Sequence, residues 1–209
     1  MKTQILIWTF LFTLLSGTVM AQVPQKAEDI SPLLYGEKIP DVPVVSTEGK
    51  SRHLTSIVRQ KPTVLLIYRG GWCPYCNAHL AEIQEAEQEI IDLGYQLLAI
   101  SPDSPENLKN SEQKHALKYA LYSDADGALI KALGIAFQSR EKYQDLLSKR
   151  SAGRNAGLLP VPSVFVVDKE GTILFEYINP DYKTRISAGL LLAVLKELKQ
   201  ITVKHRAVQ

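Results

Sequence analysis

This chain has very little sulfur. Its 209 residues include two cysteines and two methionines. Two cysteines cannot build a disulfide framework, nor a four-cysteine zinc site. A dominant charge is also missing: 24 Lys and Arg stand against 22 Asp and Glu, a net charge of +2. That balance leaves no electrostatic case for nucleic acid. The late cations Lys196, Lys199, Lys204 and Arg206 read as a solvated helix face and tail. Repeats, low-complexity tracts and linkers are absent, and so are a phosphate loop and a dinucleotide fingerprint. No cofactor is therefore expected. A chain of this size, 45% hydrophobic and 22% charged, is enough for one domain with a substantial core.

The one marked apolar run is N-terminal. Met1-Lys2 is a positive start, Ile5 to Leu15 is mostly apolar, and Val19-Met20-Ala21 places small residues where a signal peptidase reads. A membrane anchor is the alternative, but the run is short against the roughly 20 residues a span needs. We expect residues 1–21 to be a cleaved export signal and Gln22 to open the mature chain. The expected location is then the bacterial periplasm or the cell exterior, where disulfides persist, with no stable membrane insertion after cleavage.

Both cysteines are spent in one place, Trp72-Cys73-Pro74-Tyr75-Cys76. The pair follows a buried-strand run, Thr63 to Tyr68, and precedes a helix-like run from about Asn77 to Leu93 with Leu80, Ile83, Ile90 and Leu93 on its core face. A helix start favours thiolate, because unpaired N–H groups and the helix dipole stabilise negative charge there. Cys73 is the expected nucleophile, the more exposed of the two at the helix cap, with Pro74 fixing the first turn. Cys76, one turn inward, is the expected resolving thiol. An inert staple is the alternative, but so small a ring gains little chain entropy. Trp72 is expected to shield the site. Arg69 either stabilises a thiolate, contacts substrate or points to solvent. Tyr75 is expected to lie exposed between the cysteines. His79 follows at the same three-residue step, which raises a zinc or copper(I) site, yet no fourth ligand accompanies it. We expect no metal.

Further strands are expected at Gln96 to Ser101 and Ala120 to Tyr122, with a hairpin of Val164 to Val167 and Ile173 to Tyr177 across Asp168 to Gly171. Helices are expected over Leu54 to Gln60, from Ser104-Pro105-Glu106, from Gly127 to Leu133, and over Ile186 to Ile201 with Leu190, Leu191, Val194, Leu195 and Leu198 inward. Gln138 to Gly157, polar with a helical middle, reads as an insertion over the surface. The alternation implies an α/β fold with helices on both faces of a sheet.

Trp-Cys-Pro-Tyr-Cys after a buried strand resembles the active site of the thioredoxin-fold superfamily. The longer block from Arg69 to Leu80 resembles the peroxiredoxin-like branch of the AhpC/TSA family. Leu121 to Asp124 with Ala132 to Ile135, Val161 to Asp168 with Gly171, and Tyr177 to Tyr182 are similar to the family in the same order. The resemblance implies a thioredoxin-like central mixed sheet in a single domain over residues 22–209. It also shows departures. Typical peroxiredoxins carry a Thr or Ser three residues before the peroxidatic Cys and a Pro four residues before that. With Cys76 aligned, those places hold Cys73 and Arg69; with Cys73 aligned, Gly70 and Leu66. The Arg that polarises peroxide in the last hairpin is replaced by Pro162, the place of the cis-proline of thioredoxins. The resemblance therefore implies a cis Pro162 facing the cysteines, with the backbone before it free to pair with an extended substrate.

The buried Asp that serves proton transfer in thioredoxins falls at Ile67, and no replacement can be placed; Glu82 and the acids of Asp124 to Asp126 are candidates only by default. The leading expectation is an exported thiol–disulfide oxidoreductase using Cys73, Cys76, Pro162, Trp72 and Arg69. Its partners would be protein or small-molecule thiols and disulfides, with an upstream electron donor or acceptor. The alternatives are a thiol-dependent peroxidase acting on hydroperoxides and a non-enzymatic metal-handling or redox-sensing module.

Overall fold

The computed structural model describes residues 22–207; residues 1–21, where the export signal is expected, lie outside it. The chain forms β1 (Pro43–Ser46), β2 (Ser51–His53), α1 (Leu54–Val58), β3 (Thr63–Ile67), α2 (Pro74–Glu85), α3 (Glu87–Asp92), β4 (Gln96–Ser101), α4 (Pro105–His115) and β5 (Ala120–Ser123). It continues through α5 (Ala128–Ala132), β6 (Ala136–Gln138), α6 (Gln144–Arg150), β7 (Leu158–Pro160), β8 (Ser163–Val167), β9 (Ile173–Ile178) and α7 (Ala188–Ala207). A seven-stranded sheet runs β2-β1-β5-β4-β3-β8-β9. Its centre, β5-β4-β3, is parallel, and both flanks are antiparallel. This is the mixed sheet with helices on both faces that the alternation implied. Among the described residues, no helix is long and apolar enough to cross a membrane.

The sheet separates two cores because successive strand residues point to opposite faces. Val64, Leu66 and Tyr68 join Leu80, Ile83, Ile90 and α7's Leu191 and Leu195 on one face. Leu65 and Ile67 join Leu54, Leu129, Ile130 and Phe165 on the other. All five residues of β3 are buried, so its sequence reads as an unbroken apolar run. Both cysteines belong to the first core.

Several expectations are corrected. The helix after the cysteines is two helices, divided at Ala86, which closes the first of them at φ −91° and ψ −3°. Ile83 and Ile90 are both fully buried, as expected of residues two turns apart. Leu190 is 52% exposed, because α7 presents Leu191 and Leu195 to the sheet instead. The polar stretch after Gln138 is mostly exposed and has the expected helical middle, α6, but it is anchored rather than loose. It is pinned by β6 pairing with β7, and by Asn155, which accepts from the Leu158 N–H and donates to the Leu158 carbonyl. Leu147, Ser151 and Asn155 are buried, and α6 is tied to the turn before the cysteines through Arg150, Asp103 and the Gly71 N–H.

Candidate active site

The site is built where β3 ends. Ile67 pairs with Ser163 of β8 and with Ile100 of β4, so the chain entering the cysteines emerges between the sheet's central strands. Gly70 has φ +137°, and a Cβ there would lie 2.5 Å from Trp72 Nε1 and 2.9 Å from an Asp103 carboxylate oxygen. Only glycine fits such a position. The Gly71 N–H donates to Asp103 at 2.8 Å, and Asp103 in turn accepts from Arg150 Nη2 at 2.8 Å and Nε at 3.2 Å. Asn77 Nδ2 donates back to the Gly71 carbonyl at 2.9 Å. These bonds set the turn that delivers Cys73 to the N-cap of α2, with Pro74 at the first helical position.

The two thiols differ sharply. A hydrogen bond donated by the Cys76 thiol is the largest influence lowering the Cys73 pKa, to about 6; burial opposes it, and a backbone N–H of Cys76 and the charges of Arg69 and Arg185 assist. Cys76 is pushed well up, first because its proton is held in that bond to Cys73 and then by burial. One sulfur is therefore a ready nucleophile and the other a protonated donor. Cys73 is not exposed, however. Its relative exposure is 1%, that of Cys76 is 0%, and the expected difference in accessibility is corrected. The nucleophile sinks into the core cluster that contains Tyr68, Leu80 and Leu108, with Trp72 packed against it.

Arg69 does not point to solvent. It is 5% exposed, and its guanidinium lies 5.0, 5.6 and 4.4 Å from the ring centroids of Trp72, Tyr143 and Tyr182. Trp72 also meets Tyr143 ring to ring at 5.8 Å, which places it as a partly buried cover. Tyr75 is exposed and lies edge-on to Tyr182 at 5.6 Å.

Pro162 lines the same cavity as Arg69, but the cis expectation is corrected: the described residues contain no cis peptide bond. Nor is the preceding backbone free. The Val161 N–H donates to the Ile135 carbonyl at 2.9 Å, and the Val161 carbonyl accepts from the Ser163 hydroxyl at 2.8 Å. Val161 is fully buried. An extended chain has no pairing edge there.

Arg185 stands beside the thiols and is the residue of the candidate site that sequence reasoning missed. Its Nη2 donates to Cys76 Sγ at 3.4 Å, and its Nε donates to the Tyr182 carbonyl at 2.9 Å. Asp181 shapes the loop that carries it, accepting from the Lys183 N–H and the Thr184 hydroxyl. The signal was available, because Arg185 follows the Tyr177 to Tyr182 block by three residues.

His79 is buried with Nε2 3.1 Å from the Ile186 carbonyl, and burial lowers its pKa to about 4, so it is neutral at pH 7. Among the described residues no group of three or more His, Cys, Asp or Glu is placed to hold a metal ion. Glu82 accepts from the Ala188 N–H at the start of α7. Asp124 accepts from the N–H groups of Leu129 and Ile130. Both acids cap helices.

The AhpC/TSA family model matches residues 35–175. The chain belongs to the AhpC/TSA family. Among relatives, peroxiredoxin Bcp of Bacillus subtilis is 24% identical over 79% of this chain and 96% of its own length. The thiol–disulfide oxidoreductase ResA of Bacillus cereus is 23% identical over 90% of this chain and 96% of its own. Among solved structures, reduced Prx3 of Vibrio vulnificus in complex with hydrogen peroxide superposes with a TM-score of 0.68 at 16% identity, over 78% of this chain and 99% of that one. The family thus places the chain among thiol-redox enzymes with a thioredoxin-like fold. Peroxiredoxins and thiol–disulfide oxidoreductases both stand among the relatives.

The acidified thiol has a direct consequence. Alkylation of Cys73 by iodoacetamide is expected to rise with pH through about 6 and then level off, because deprotonation creates the nucleophile. Reactivity is lost as pH falls through that value. A rate still climbing toward the ordinary thiol value of 9.0 would contradict the assignment.

Proposed function

We propose that this chain is an exported thiol–disulfide oxidoreductase acting on small substrates through Cys73 and Cys76. The observation that carries this reading is the asymmetry of the pair: an acidified sulfur at a helix N-cap, hydrogen-bonded by a protonated partner one turn inward. The Cys73 thiolate attacks one sulfur of a disulfide RSSR. A mixed disulfide forms, and RS⁻ leaves to be protonated. Cys76 then loses its proton and attacks Cys73 Sγ, expelling the second thiolate, which takes that proton. The protein has given up two electrons and the Cys76 proton, solvent has supplied the proton for the first RS⁻, and RSSR has become two RSH. An external dithiol reductant reverses the change in the protein. Both sulfurs are buried and the Val161 backbone is engaged, so a small substrate fits better than a folded protein.

Burial and the two guanidiniums also favour a second reading, a thiol peroxidase. A hydroperoxide is small enough to enter, and Arg69 or Arg185 would stabilise charge on its oxygens. Cys73 would then attack the peroxide, release an alcohol or water, and become a sulfenic acid that Cys76 condenses to a disulfide with loss of water.

Stopped-flow oxidation of the reduced protein separates these readings. An oxidoreductase reacts with 2-hydroxyethyl disulfide at least about a hundredfold faster than a free thiol of the same pKa, while its reaction with hydrogen peroxide gains nothing over that thiol. The reverse order would establish the peroxidase. Export is tested on secreted or periplasmic protein, whose intact mass should begin at Gln22.

A further inference from the structure

Arg69 is a buried cation with too little negative charge around it. Burying a guanidinium normally demands an ion pair or full hydrogen bonding. Among the described residues, its Nε is buried with no hydrogen-bond partner, its side chain enters no hydrogen bond, and no carboxylate forms an ion pair with it. Three aromatic rings hold it instead. The Cys73 thiolate offers one negative charge, but Arg185 acts on that same charge. Two guanidiniums thus share one anion.

The excess faces a cavity. Arg69 lines a cleft of about 480 Å³ together with Lys26, Arg140 and Lys142. Two acids, Glu28 and Asp181, also line it. Asp181 is already committed to Lys183 and Thr184 within its own loop. Tyr143 and Tyr182 supply flat walls beside the guanidinium. A volume of this size accepts a ligand of small-metabolite dimensions.

We infer that this cleft is the binding site for a carboxylate-bearing small substrate, whose carboxylate pairs with Arg69. Neither cysteine lines the cleft, so the substrate's sulfur must pass the Arg69 and Trp72 cover to reach Cys73, which is 1% exposed. The inference rests on the thiol-redox reading and specifies its substrate class: a small disulfide or thiol carrying a carboxylate, with neutral and cationic analogues disfavoured. The guanidinium fork suits a carboxylate bidentately. The surrounding cations raise the local concentration of anions.

Iodoacetate and iodoacetamide differ in charge and hardly in size, and each alkylates a thiolate with loss of iodide. Their rate ratio at Cys73, measured on the reduced full chain with the labelled residue identified by peptide mass, reads anion preference apart from thiolate content. It also reads it apart from any disulfide-exchange activity. Iodoacetate is expected to be the faster reagent. Arg69→Gln should lower the ratio by about fivefold or more, Arg140→Gln by about twofold, and added salt should lower it as screening grows. Arg52→Gln, exposed on β2 and outside the cleft, should leave it unchanged. Thiodiglycolate, an unreactive dicarboxylate, should slow alkylation in competition where neutral thiodiethanol does not. The inference is overturned by an equal ratio in wild type and both cleft variants, or by equal protection from the two thioethers. Iodoacetate preference in a protein inert to every disulfide and peroxide would instead overturn the oxidoreductase and peroxidase readings and leave the anion site standing.

Discussion

Cys73→Ser is expected to abolish turnover, by at least about a thousandfold, and Cys76→Ser to stop the cycle after the first bond exchange. The two variants fail differently because the two sulfurs hold different protonation states. A serine hydroxyl at position 73 cannot ionise near neutral pH, so no mixed disulfide forms with any substrate. With serine at 76 the attacking thiolate survives, since a hydroxyl can also donate to Cys73 Sγ. Resolution then fails, and the intact mass should rise by one substrate half. Cys76→Ala removes the donor altogether. The Cys73 pKa should then move up from about 6, because the Cys76 thiol's hydrogen bond is the leading cause of its depression. The measurements are steady-state turnover, intact mass after mixing with substrate, and the pH profile of alkylation. A trapped adduct on Cys76 in the Cys73→Ser protein would reverse the assigned roles.

Asp103→Ala is expected to cost about 3 kcal/mol of folding stability, the scale on which breaking one side of a buried ion pair falls. The Asp103 side chain is 2% exposed and that of Arg150 is 23% exposed. Removing the carboxylate strands the Arg150 guanidinium and the Gly71 N–H together. The damage extends to the site. The Arg150 carbonyl accepts from the Ser104 N–H and from Asn107 Nδ2, so α6 is held to α4 through this residue. Tyr143, just before α6, covers Trp72 and Arg69. Loosening α6 should expose Cys73 and accelerate its alkylation at a fixed thiolate fraction. Asp103→Asn keeps one acceptor and should lose less. Denaturant unfolding measures the stability, and the Asp103→Ala/Arg150→Ala double-mutant cycle isolates the pair. A loss below about 1 kcal/mol for Asp103→Ala would mean that the pair is solvated and the turn is held by other contacts.

Local chemistry made much of this fold legible from the chain alone. The unbroken apolar runs of β3 and β4 name the central parallel strands, because strands buried on both faces cannot alternate. Ser104 followed by Pro105 marks the start of α4, and Ser104 Oγ does accept from the Asn107 N–H. The strand, cysteine pair and helix are contiguous, so the redox pair was readable as a unit. The break at Ala86 was not, since nothing in that residue's own chemistry ends a helix. Nor was the inward face of α7, where Leu190 and Leu191 are equally apolar and only the packing angle selects between them.

The sequence by itself determined that two thiols stand one turn apart at a helix start, because that follows from neighbours within a few residues; the lowering of the Cys73 pKa comes first from the Cys76 thiol. Tertiary structure alone decided who surrounds them. Arg185 reaches Cys76 across 109 positions, Arg150 reaches Asp103 across 47, and Tyr143 and Tyr182 close on Arg69 from separate loops. Burial of Cys73 is likewise a sum over distant segments. Such long-range meetings depend on how two helical layers seat on one sheet, and no local spacing encodes that geometry.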